Sequence, residues 1–133
     1  MLKYVIAYVA TAVVFFGLDF VWLSRMLGFY RAEMGSLLLE QPKLGYAGAF
    51  YALYVVGIVA LVVVPALSGG GWGQALAMGA LLGLVAYGTY DMTNMSTLNG
   101  WSLKLALVDM AWGTFVTATA ATAGYLVTAW LAP

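Results

Sequence analysis

Three aspartates, Asp19, Asp91 and Asp109, stand in a chain with almost no other charge. Of its 133 residues, 65% are hydrophobic and 8% charged, and the mean hydropathy is +0.98. A carboxylate deep in so apolar a setting costs on the order of 2.5–3.5 kcal/mol, and an ionisable group placed there is by default a functional-site hypothesis. Something must offset three of them. The options are a proton, a bound cation, hydrogen bonds from Tyr, Trp and Asn, or water entering from one membrane face. The chain has no cysteine and no histidine. That excludes disulfides, thiol catalysis, imidazole bases, and haem or zinc sites of the usual kinds. Any metal would be a hard cation on oxygen ligands, and its ligands would be Asp19, Asp91 and Asp109. No cofactor is called for.

Spacing gives each aspartate neighbours. Steps of three and four residues return to one side of a helix. Phe15, Asp19 and Trp22 therefore share a face, as do Tyr87, Asp91 and Asn94. Asp109 and Trp112 share another, with Gly113 beside them. The densest polar stretch is Tyr87–Trp112, YGTYDMTNMSTLNGWSLKLALVDMAW, which holds two of the three aspartates.

The elements that position these groups follow from composition. A soluble domain is about a quarter charged, so this chain is expected to be an integral membrane protein. The fold expected is all-α, an integral membrane four-helix bundle in a single domain over 1–133, with helices near 2–27, 45–67, 74–98 and 101–130. The start, MLKYVIAYVATAVVFFG, imitates a signal peptide, but the apolar run continues to Leu27 with no convincing cleavage site. Between the first two helices, Tyr30, Met34, Leu37 and Leu38 fall at helical spacing among charges. This predicts a short interfacial amphipathic helix stopped before Pro42, with an irregular polar loop as the alternative. The second helix carries no charge and reads as scaffold. Ser68–Gly73 reads as a tight turn, and Asn99-Gly100 as another. Gly79-x-x-x-Gly83 is a small-residue packing motif, suited to contacts within the bundle or between copies. Trp72, Trp101 and Trp130 fit an interfacial belt, whereas Trp112 lies deeper.

Four of the five basic residues, Arg25, Arg31, Lys43 and Lys104, fall in or beside the first and third connections, leaving Lys3 opposite. The positive-inside rule then puts both termini on the non-cytoplasmic side. With 1.5 Å per residue, each aspartate lies roughly 10–12 Å inside the cytoplasmic boundary. Three separate helices would thus place an acid in one layer.

The blocks YGTYDMTNMSTLNGW and DMAWG, with LDFVWL in the first helix, resemble a family of short four-helix bacterial membrane proteins known only as a domain of unknown function. The resemblance covers essentially the whole chain. It marks Asp19, Trp22, Tyr90, Asp91, Thr93, Asn94, Trp101, Asp109, Trp112 and Gly113. It implies a bacterial cytoplasmic membrane and supplies no activity. Ser102 stands where the family pattern has proline, which would loosen the start of the fourth helix.

Three functional readings follow. The first is a small binding or transport module whose site comprises Asp19, Trp22, Tyr87, Tyr90, Asp91, Thr93, Asn94, Asp109 and Trp112. It would take a proton, a cation or a small amphipathic ligand, with the rings covering the apolar part or making cation–π contacts. Its partners would be membrane lipids and, for transport, further copies in a homo-oligomer. With zero net charge, no long-range field points to nucleic acid. The second is a membrane-embedded enzyme acting on a lipid or isoprenoid, with carboxylates as acid and base or holding Mg²⁺. The third is an accessory subunit of a larger membrane complex, which explains the glycines but not the acids.

Overall fold

The computed structural model describes residues 1–133 and is all-helical. Helix α1 spans Leu2–Met34, α2 Leu44–Ile58, α3 Gly71–Thr97 and α4 Leu103–Leu131. Three helical stretches are long and apolar enough to cross a membrane: Leu2–Leu37, Leu44–Thr97 and Leu103–Leu131. The expectation of four separate helices is corrected here. No loop separates α2 from α3: Leu44–Thr97 is a continuous stretch of 54 residues in which two helices meet at a kink, with π-type turns at Val59–Val63 and Ala66–Gly70. These segments flank Pro65, whose ring and missing N–H disturb the regular ladder, and π turns are one way a helix absorbs such a fault.

The run is not straight. Gly69 leaves helical geometry at φ 131°, and Gly71 follows at φ 77°. The Tyr54 and Tyr87 rings lie 6.3 Å apart. An unbroken helix would separate them by roughly 50 Å, so α3 folds back along α2. Only glycine takes these angles without strain.

A second correction concerns the first connection. No separate amphipathic helix forms. The chain stays helical through Tyr30 to Met34, then makes a 3₁₀ turn at Gly35–Leu37. Gly28 is the sole weak helix former between Leu27 and Met34, and one glycine costs only about 1 kcal/mol. Gly35, at φ 58°, is where α1 stops.

Inward faces follow four-residue steps. On α1 the buried stripe is Ala7, Thr11, Phe15 and Asp19. On α3 it is Ala75, Gly79, Gly83 and Asp91. The glycines let α3 and α4 approach closely. A Cβ on Gly79 would lie 2.9 Å from Ala118 Cα, and one on Gly83 would run into the Gly113 carbonyl. The small-residue motif therefore serves packing inside the bundle. Between apolar chains in lipid, such close van der Waals packing is a main source of helix association. The main core centres on Phe15, Val55, Ile58, Val62, Val116 and Ala120. A smaller cluster of Trp101, Leu105 and Ala106 lies against Phe29, Tyr30 and Met34 at the end where α1 stops and α4 starts.

Candidate functional site

All three aspartates line one cavity of about 570 Å³. α1 supplies Asp19 and Trp22, α2 Tyr51, α3 Tyr87, Tyr90 and Asp91, and α4 Asp109 and Trp112. Fifteen of its twenty lining residues are hydrophobic. The volume lies within the ordinary range for small-molecule sites, roughly 300–1,000 Å³.

Asp19 continues the α1 stripe from Phe15, so helical period alone turns it inward. It is 5% exposed, and its Oδ1 accepts a hydrogen bond from Trp112 Nε1 at 3.1 Å. The Tyr51 hydroxyl is its second polar neighbour. Trp112 also stacks on Trp22, centroids 4.3 Å apart and planes at 5°. Such a pair adds about 0.5–1.5 kcal/mol beyond its burial. One ring thus orients both the Asp19 carboxyl and the Trp22 indole.

Trp22 carries the arrangement onward. Its Nε1 donates to the Tyr30 hydroxyl at 3.0 Å, and that hydroxyl donates to Asp109 Oδ1 at 2.8 Å. Tyr30 reaches this position only because α1 runs unbroken past Leu27. Residues 19, 22, 26 and 30 follow three- and four-residue steps, and extending the Asp19 face was the signal that could have found it. Tyr51 lies in a helix that carries no charge, and nothing in its own segment distinguished it from Tyr46 or Tyr54.

Asp91 is the outlier. It is 0% exposed, and neither carboxylate oxygen has a hydrogen-bond partner. The Asp109 carboxyl and the Trp101 indole stand beside it. Trp101 Nε1 is itself buried and unpaired. Trp101 was expected in the interfacial belt. Instead it is 9% exposed, lines the cavity and meets Tyr90 edge-on at 5.6 Å. The turn at 98–102 folds it back under α1, packed against Met34 and Tyr30. Most buried polar groups are paired, so three orphaned atoms at one place mark where a partner would fit. No lysine or arginine is among the groups acting on Asp19 or Asp91.

Two expected site residues lie off the cavity wall. Thr93 is exposed, and Asn94 sits beside the Tyr90 hydroxyl without lining the cavity. Thr93 is two residues from Asp91, which turns it to the opposite side of α3. Nor do Asp19, Asp91 and Asp109 close on one point: no group of three or more acids is placed to hold a metal ion.

The end of the cavity is tied together by Ser102. Its hydroxyl accepts from Leu105 N at 3.1 Å, capping α4, and donates to Glu33 Oε1 on α1. The expected loosening of this helix start is therefore corrected, because serine is a strong N-cap.

Residues 4–126 match the family described as predicted membrane protein (DUF2177), and the chain belongs to it. No curated protein and no solved structure matches the chain.

Proposed function

We propose that this family member, an integral membrane protein, is a small binding or transport module. Its site is the cavity around Asp19, Asp91 and Asp109. The chain crosses a bacterial cytoplasmic membrane four times, with α2 and α3 as separate crossings and both termini on the non-cytoplasmic side. The cavity lies at the cytoplasmic end, where the basic residues Arg31, Lys43 and Lys104 gather.

The observation that carries this reading is Asp91, fully buried on the cavity wall with both oxygens unpaired. A carboxylate that only tied helices together would point at a donor on a neighbouring helix, as Asp19 does. Asp91 has another acid, Asp109, beside it as well as the Trp101 indole, and it closes a hydrogen bond with neither. Such a pair calls for a proton or a cation between its oxygens. The stacked Trp22 and Trp112 rings offer an adjacent π face. Tyr30 and Trp22 hold Asp109 in place.

A membrane-embedded enzyme is the second reading, favoured by the same two juxtaposed carboxyls, since paired acids can divide the roles of acid and base. Native mass spectrometry of the purified protein with its co-purified lipids and ions, wild type beside Asp91→Asn, tests the proposal. A specific bound species lost in the variant supports it. The same bound species, or none, in two folded proteins overturns it and leaves the acids structural. Conversion of a lipid extract, lost in Asp91→Asn, selects the enzyme.

A further inference from the structure

Resting on the binding reading above, we propose that the occupant is an amphipathic organic cation, an amine or quaternary ammonium on an apolar tail, reaching the site sideways from the bilayer between α1 and α2.

The charge of the head follows from the walls. Three carboxylates line the cavity, and one of them, Asp91, is completely buried and unpartnered. An inorganic divalent ion fits poorly, because no three acids converge on a point, and such ions need several oxygens in one sphere. A single ammonium needs only one or two acceptors. Trp101 Nε1 remains as a donor for a polar atom next to the charge.

The tail follows from the rest of the lining. A bare small cation leaves most of a 570 Å³ space, fifteen of whose twenty lining residues are hydrophobic, without contacts. An apolar group filling it is favoured by the area it removes from water.

The direction of access follows from exposure. The outer wall is made of Phe20, Leu23 and Leu27 on α1 and Leu44 and Ala47 on α2. Phe20 and Leu44 are each 73% exposed, so the same side chains border both the cavity and the lipid. α3 and α4 close the far side with Tyr87, Asp91, Asp109 and Trp112. A tail can therefore remain in the hydrocarbon while its head reaches the acids.

The test is native mass spectrometry from dodecyl maltoside micelles with defined probes. These are dodecylammonium, a lysophosphatidylethanolamine, dodecanol, tetramethylammonium and Mg²⁺. Wild type is compared with Asp91→Asn, and with Ala47→Phe, which narrows the outer opening without touching an acid. Expected is one dodecylammonium per chain, with affinity about tenfold or more lower in Asp91→Asn. Ala47→Phe is expected to weaken dodecylammonium and spare tetramethylammonium. This second variant keeps the test open should Asp91→Asn misfold. Equal or better retention of the lysolipid assigns the source to a bilayer lipid, and retention of dodecylammonium alone assigns it to a free amphiphile. Dodecanol bound as well as dodecylammonium removes the cationic head and overturns the inference. Mg²⁺ or tetramethylammonium bound in an Asp91-dependent way, without the amphiphile, overturns it while leaving the binding site intact. No Asp91-dependent probe at all overturns both.

Discussion

Gly113 is the position where one added methyl should be felt both in the fold and in the cavity. A Cβ built there would lie within 2.5 Å of Cγ, Cδ1 and Cδ2 of Tyr87. Carbon atoms settle at about 3.5–4.0 Å, so the ring must retreat by at least about 1 Å or α3 must part from α4. Widening the interface would give up the close packing of Gly83 against the Gly113 carbonyl. Gly113→Ala is therefore expected to destabilise by about 1–3 kcal/mol, the usual cost of overpacking. Gly17→Ala is the control. Nothing lies within 4 Å of that Cβ, and the change should be neutral or gain up to about 1 kcal/mol of helix propensity. The assay is unfolding by dodecyl sulfate in mixed micelles, followed by tryptophan fluorescence and far-ultraviolet circular dichroism. In a Tyr87→Ala background the penalty should vanish, giving a coupling of about 1–3 kcal/mol. A Gly113→Ala protein as stable as Gly17→Ala refutes the close approach. A penalty that persists without the Tyr87 ring refutes its stated cause.

Other consequences can be checked with similar tools. Trp112→Phe keeps a ring against Trp22 but removes the donor to Asp19 Oδ1; a cycle with Asp19→Ala should show about 0.6–1.7 kcal/mol of coupling, and zero coupling refutes the bond. Tyr30→Phe breaks both of its hydrogen bonds at once, so its stability loss should be non-additive with Trp22→Phe and with Asp109→Asn in separate cycles. Simple additivity in both refutes the relay of contacts. Ser102→Ala removes the α4 cap and the tie to Glu33; a loss of about 0.5–2 kcal/mol is expected, with Ser102→Asp restoring the cap but placing a like charge beside Glu33. The chain has no cysteine, so Ser68→Cys and Asn99→Cys can be labelled from opposite sides of sealed vesicles; labelling from the same side refutes four crossings.

The legible part of this protein in its sequence was chemical and periodic. Composition placed it in a membrane, because a surface so poor in charge cannot stay in water. Helical period put Asp19 inward after Phe15, and Asp91 inward after Tyr87, since four-residue steps fix one side of a helix whatever lies opposite. Counting residues along three helices predicted that the three acids lie near one another, and all three line one cavity. Period does not say which side of one helix meets which side of another, and there the tertiary structure decided. It carried α1 through Gly28 to Met34 and so brought Tyr30 to Asp109. It turned Tyr51 of a chargeless helix toward Asp19. It buried Trp101 beside Asp91, where an interfacial ring had been expected. It left Thr93 outside, two residues and half a turn from Asp91. The glycines at 69–71 did mark where Leu44–Thr97 reverses, but how α3 lies along α2 was decided by packing such as Tyr54 against Tyr87. Each of these depends on the relative rotation and approach of packed helices. Close approaches set these at Gly83, Gly113 and Gly124, through contacts with residues at least seven turns of helix or a whole connection away in the chain.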